Sequence, residues 1–268
     1  MRSQSTSLLF SAAIIFLWCS FAFFGSFLNL SPDHINLEQI LTPPSFQEWF
    51  GYDDLGRSIF DRLITGARAS FFVSFWVVFL SSIVGTIIGI IAAWRGGWFD
   101  LVIVRIIDIF LAFPGILLAI ALAGILGPGI NNIIIALTVV GWVGFARLAR
   151  AQTLSIKSRE HIQAAKALGT PTHKTLWQHV LPLIIAPLIV EATFGIAGVV
   201  IAEAGLSFLG LGIQPPTASW GTMIRDGTRY MLVAPHMVIA PGLALCLVVL
   251  SVNMLGDKLR DKMDIKES

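Results

Sequence analysis

The sequence predicts an all-α integral membrane protein of about six transmembrane helices. Of its 268 residues, 56% are hydrophobic and only 13% are charged, where an ordinary soluble chain carries about 25% charged residues. The mean hydropathy is +0.81. The charge-poor residues are gathered into blocks close to the length of about 20 residues that a helix needs to cross the hydrocarbon core. A water-soluble fold of this size has no interior large enough to hide them. Helices rather than strands follow, because a helix satisfies its own backbone groups inside lipid.

The first block, Leu8 to Leu28, has no charged residue and follows Arg2. It is too long for a signal-peptide core and lacks a small-x-small cleavage site, so it reads as a retained span. The second, Ala69 to Trp94, is again free of charge. The block from Ile109 to Ala146 exceeds one crossing, and Gly127-Pro128-Gly129 with Asn131-Asn132 divides it by a turn signal. Spans three and four are therefore expected over Leu101 to Leu126 and Ile130 to Ala146. The fifth covers Leu183 to Ala202 and includes Glu191, and the sixth covers Met237 to Leu255. The chain divides into residues 1–68, an N-terminal span with an outer loop, and residues 69–268, a core whose longest polar loop is 147–182.

Charge here reports orientation. The net charge of +2 provides no basic field for nucleic acid. Twelve basic residues fall on the side of both termini: Arg2, Arg95, six in the loop 147–182, and Lys258, Arg260, Lys262 and Lys266 at the tail. Five fall on the other side, Arg57, Arg62, Arg68, Arg225 and Arg229, so the positive-inside rule places both termini in the cytoplasm. Arg57, Arg62 and Arg68 run against the rule, and an amphipathic helix lying in the interface would accommodate them.

Nothing in the chain has the form of a nucleotide site or a catalytic cluster. No G-x-x-x-x-G-K-[ST] occurs, Cys19 and Cys246 lie apart in apolar blocks, and His161, His173 and His179 are spaced unlike metal ligands. A transporter without a nucleotide site draws on an ion gradient or on a separate ATPase. The loop 147–182 bears on that choice. Glu160 to Leu168 is rich in helix formers, with Ile162, Ala165 and Leu168 at spacing three on one face. Gly169 follows as a C-terminal stop, and Thr170-Pro171 opens a second helix, threonine as N-cap and proline as its first residue. Such a helix is either a surface for another protein or a plain connector.

Ionisable residues within spans are functional candidates by default. Arg105 and Asp108, three apart near the cytoplasmic end of span three, suit a structural ion pair on one helix face. Glu191 and Glu203, twelve apart in or near span five, are expected to look toward the same side. They either line a pathway or hold neighbouring helices by hydrogen bonds. On the outer side, the glycine-rich run Gly205 to Gly212 before Pro215-Pro216 suits a re-entrant or close-packed segment, with a plain tight connection as the other reading.

Glu160-His161-Ile162-Gln163-Ala164-Ala165-Lys166-Ala167-Leu168-Gly169, followed by Leu181-Pro182, resembles the "EAA" loop of binding-protein-dependent ABC importers. Trp49 to Ser58 (WFGYDDLGRS), Leu206 to Pro216 with Trp220-Gly221, Pro241-Gly242, and Asn253 to Asp261 are similar to stretches of the dipeptide, oligopeptide and nickel permeases, in particular their C-type subunit. The likeness covers nearly the whole chain. It implies a type I ABC importer transmembrane domain in a bacterial inner membrane, non-catalytic and with no cofactor of its own. It further implies a second homologous permease subunit, two ATP-binding subunits that use the ATP, an extracytoplasmic solute-binding protein, and peptide as the solute. Nickel, another small solute, or a gradient-driven secondary transporter are the alternatives. The coupling residues carried over are Glu160, Gln163, Ala164, Ala165, Leu168, Gly169 and Pro182. Gln163 stands where the family's glutamate stands, Tyr52 in place of a threonine, Ser58 in place of an aspartate, and Leu183 where asparagine often follows the proline. Glutamine keeps the length but not the charge, which removes a salt bridge to the ATPase from that position.

Overall fold

A computed structural model describes residues 2–264, so Lys266 of the basic tail lies outside the described residues. Among the described residues five helices are long and apolar enough to cross a membrane, and a pair bent by 87° brings the number to six where it is taken as one span. In order these are α1 (Arg2–Phe24), α2 (Ile59–Arg95), the bent pair α3 (Gly97–Ala112) and α4 (Gly115–Leu126), α5 (Ile130–Ile156), α8 (Leu181–Phe208) and α10 (His236–Asp264). The short helices α6 (Glu160–Ala167) and α7 (Thr172–Thr175) lie between α5 and α8, and α9 (Trp220–Thr228) lies between α8 and α10.

Local chemistry sets each boundary. α2 starts at Ile59, well before the expected Ala69, because Ser58 caps it by accepting from the Asp61 N–H at 3.1 Å. The expected division after residue 68 therefore falls inside one continuous helix. Arg62 and Arg68 sit on this outward extension of α2, not on a separate interfacial helix. At its inner end Gly96, with φ +66, stops α2 and donates its N–H to the Ala92 carbonyl. The third span is not one helix. Pro114 has no N–H and pushes Phe113 out of the helical region to φ −101, ψ 139, so α3 ends and α4 starts there at a steep angle.

α5 begins at the predicted Gly-Pro-Gly turn but continues ten residues past Ala146 to Ile156. The polar loop is shorter than 147–182 by that amount. Arg150 on this extension grips Asp100 of α3 with two hydrogen bonds, 2.6 and 2.7 Å. α8 likewise outruns Ala202 and takes in Gly205 to Phe208 as its last turn. Gly210, φ +81, then closes it: its N–H meets the Ser207 carbonyl and the Leu211 N–H meets the Leu206 carbonyl. The following segment folds back as α9, opened by a Ser219/Thr222 capping box. Trp220 donates its indole N–H to the Leu63 carbonyl at 3.0 Å, so this stretch is close-packed against α2 and is no loose connection.

One half of the bundle centres on Trp18, Ala67, Trp220, Met223 and Met237, the other half on Phe145, Ile156, Ile162, Val180 and Ile184. α2 and α5 form the spine, meeting through Gly85 and Gly89 of α2, where the α5 main chain leaves no room for a Cβ.

Candidate functional site

The loop between α5 and α8 builds a small platform. α6 carries Glu160 in its first turn and Lys166 in its last, the order that complements the helix dipole. Ile162 (0% exposed) turns inward onto Ile156, Val180 and Ile184 and pins the helix to the bundle, and Ala165 (8%) is buried as well. Glu160, Gln163, Ala164, Ala167, Leu168 and Gly169 remain exposed, and Leu168 reaches 86% exposure. Two expectations change here. Ala165 supports the platform from beneath and offers no surface, and Leu168 does not share the face of Ile162. The reason is the stop: Leu168 is already the C-cap, and Gly169 at φ +78 turns the chain away.

That stop is a double hydrogen bond, Gly169 N–H to Lys166 O and Thr170 N–H to Ala165 O. Pro171, expected as the first residue of the next helix, is its N-cap at ψ 142, so α7 begins one residue later. Gln163 donates its amide N–H to the Lys157 carbonyl at 2.9 Å. A carboxylate has no proton to give in that place, so glutamine holds the corner between α5 and α6 through a bond the usual glutamate lacks. Lys166 lies 4.1 Å from the centre of the Trp94 ring, a cation–π contact that ties α6 to the end of α2. Beyond α7 the turn Leu176–Val180 is a π-helix leading into Leu181-Pro182. Pro182 is exposed in the first turn of α8, and Trp177 stands 72% exposed beside the platform.

The two carboxylates of α8 do not share a side. Twelve residues make three and a third turns, a rotation of about 120°. Glu203 is wholly buried between helices: Oε2 accepts from Ser70 Oγ of α2 and Oε1 from Ser207 Oγ, both at 2.8 Å. Glu191 instead turns toward α5, where a Cβ on Gly144 would stand 2.9 Å from its Oε1. It helps line a cavity of about 430 Å³ with Gln152, Pro187, Phe194 and Arg260.

A third arrangement escapes any reading of single residues. In the WFGYDDLGRS stretch, Asp53 accepts from the backbone N–H of Leu55 and of Arg57, both at 2.9 Å, and from Arg57 Nε at 2.7 Å. Arg62 of α2 approaches it at 3.5 Å and reaches Asp33 at 3.8 Å. Beside them Asp54 is half-buried with one oxygen lacking any hydrogen bond, and burial together with Asp53 pushes its carboxyl above the ordinary range. These basic residues, anomalous for topology, are the clasp of the outer loop. The Asp-x-x-Gly-Arg spacing was the available signal, since an Asp side chain commonly bonds backbone N–H groups a few residues on.

Comparison with known proteins follows the same lines. Residues 85–265 match the family described as binding-protein-dependent transport system inner membrane component. The chain is 46% identical over 226 residues to the dipeptide transport system permease protein of Alkalihalophilus pseudofirmus, covering 84% of this chain and 74% of that one. It is 43% identical over 234 residues to the glutathione transport system permease proteins of Escherichia coli O6:K15:H31 and of Shigella boydii serotype 4, covering 87% of this chain and 77% of theirs.

Proposed function

We propose the following role for this chain, which belongs to the family of binding-protein-dependent transport system inner membrane components: it forms one half of the membrane pathway of an ATP-driven peptide importer. The observation that carries the reading is the platform. Ile162 anchors α6 in the bundle, while Ala164, Leu168, Gly169 and Trp177 are left uncovered. Small residues beside two large exposed apolar ones suit close docking by shape. An ATP-binding subunit fits there, and ATP is then used by that subunit and not by this chain. Relatives named for dipeptide and glutathione transport favour peptide over nickel as the solute. A second homologous permease completes the pathway, since this chain has a single platform. A solute-binding protein delivers from outside, and both termini are cytoplasmic.

The experiment is uptake of labelled dipeptide by membrane vesicles holding the assembled complex and its binding protein. Uptake should require ATP and survive collapse of the ion gradients. Uptake that persists without ATP and stops with a protonophore would overturn the reading. Orientation is checked by cysteine at Ser158, which lies in the platform loop. In intact cells it should resist a membrane-impermeant thiol reagent, while cysteine at the exposed Thr217 reacts.

A further inference from the structure

We propose that the exposed face of α3 bearing Arg105 and Asp108, together with the helix break at Phe113-Pro114, lines a water-filled passage and that the pair meets the charged ends of a peptide in transit. The solute rests on the importer reading above, while the water rests on geometry alone.

Depth comes first. α3 and α4 climb along α5 in steps: Asp100 grips Arg150, Ile107 packs with Val143 and Ala146, and Phe110 meets Trp142 with ring centres 5.6 Å apart. Gly115 follows against Val140, at 3.2 Å for an added Cβ, and Ala119 and Ala123 join Ile133 and Ala136. Val140 is about 15 Å along α5 from its outer end, by the 1.5 Å rise per residue. That is half of the hydrocarbon thickness of about 30 Å, so the break sits near the midplane. Arg105 and Asp108, at the level of Val143 to Ala146, lie in the inner leaflet, Arg105 toward its rim and Asp108 deeper.

Two independent features at this depth are incompatible with acyl chains. The Arg105 and Asp108 side chains are 73% and 54% exposed. Ionisable residues in spans face a bundle interior or a water-filled cavity. Residues 111 to 117, across the break, are all exposed as well. The end of one helix and the start of the next leave carbonyls and amides without partners in their own helices, and Pro114 contributes no N–H. Non-helical backbone at this depth is tolerated only inside protein or against water. By contrast the exposed stripe of α10, Ile239, Leu243, Leu247 and Leu250, is wholly apolar and suits lipid.

Chemistry then identifies what passes. Arg105 and Asp108 approach no closer than 3.7 Å, beyond hydrogen-bond distance, whereas Arg150 and Asp100 close to 2.6 Å. The loose pair keeps its donors and acceptors available. A guanidinium fork matches a carboxylate in two parallel bonds, and a carboxylate accepts from an ammonium group. An unblocked peptide carries one of each. Sugars and metal cations do not.

The test uses the assembled complex in membrane vesicles, with Cys19 and Cys246 replaced by alanine and single cysteines at Asp108, Phe113 and, as lipid-facing control, Leu243. A negatively charged methanethiosulfonate should modify the first two at least about tenfold faster than the third, because the thiolate forms only in water. Reaction of both at the control rate, or cross-linking of both to the second permease without reagent access, would mean a dry contact and overturn the proposal. In the same vesicles Arg105→Gln should lower uptake of a free dipeptide severalfold relative to its C-terminal amide, and Arg105→Lys should keep most of that preference. Ready labelling with an unchanged preference would overturn the substrate contact. If the unmutated complex takes up no peptide at all, the importer reading fails while the labelling still decides the passage.

Discussion

Gly85 of α2 lies directly beneath the main chain of Trp142 on α5, so that a Cβ on it would collide with the Trp142 carbonyl oxygen and stand 2.7 Å from the Phe145 Cβ. Four residues on, Gly89 meets the Ala146 carbonyl in the same way. Lipid provides no hydrophobic drive between helices, so this close approach, with its dispersion and weak polar contacts, is what joins these two elements. Gly85→Val should therefore insert but pack poorly. We expect a loss of about 1–3 kcal/mol, as for overpacking in a tight core, read as a lower melting temperature in detergent. An unaltered melt would show that α2 and α5 can separate without cost.

At the platform the strain is of another kind. Gly169 has φ +78 and nothing within 4 Å of an added Cβ, so Gly169→Val meets no clash and suffers only the backbone cost of about 1–2 kcal/mol for a left-handed residue. The amount of chain in the membrane should stay near wild type. Copurification of the ATP-binding subunit and solute-stimulated ATP hydrolysis should each fall severalfold. Normal coupling in this variant would reduce α6 to a connector.

The carboxylates of α8 should separate cleanly in a pair of alanine variants. Glu203→Ala removes the acceptor shared by Ser70 and Ser207 in a fully buried place, and each stranded hydroxyl costs about 1–3 kcal/mol. It should lower thermal stability, with transport falling only as far as folded protein falls. Glu191→Ala, beside open space, should melt normally and lose uptake per folded molecule. The reverse pattern would exchange the two roles.

For Asp54 the sign of the pH dependence follows from its raised pKa. A carboxyl that ionises less readily when folded destabilises the fold wherever it is charged, so its penalty is present at neutral pH and disappears as pH falls below the ordinary carboxylate value. Asp54→Asn should stabilise the fold at pH 7.5 by less than about 1 kcal/mol, because the group is partly solvated, and so raise the melting temperature slightly. The difference should vanish near pH 4. An equal gain at both values would trace the effect to something other than charge.

Much of this architecture is legible in the sequence because lipid reduces it to length and hydropathy: α2, α5, α8 and α10 each contain the span assigned to them, and α1 covers its span up to Phe24, four residues short of Leu28. The ends are less legible. Ser58 adds ten residues to α2 through a single cap, and α5 and α8 run on past the spans that hydropathy marks. Pro114 alone should have signalled the break in the third span, but it stands in so apolar a stretch that hydropathy reads straight across it. At the platform, Gly169 was readable as a helix stop because only backbone geometry is involved. The inward turn of Ala165 and the partners of Glu203 were not, since both depend on which distant helix lies opposite. The clasp around Asp53 was hidden for the same reason, its arginines looking like errors of topology until Asp53 and Asp33 are placed beside them.

The contacts of α1 set an order for biosynthesis. Its Trp18 donates to the Ala67 carbonyl at 3.0 Å and packs against Trp220, while Ser11 reaches the Met254 sulfur on α10 at 3.4 Å. Of the described helices, the first to be synthesised thus packs against the last. Until α10 emerges, one flank of α1 has no protein neighbour, and it must wait in lipid or beside the insertion machinery. A chain truncated before α10 should therefore leave α1 inserted yet exposed to quality-control proteolysis, which makes the emergence of α10 a checkpoint for the bundle.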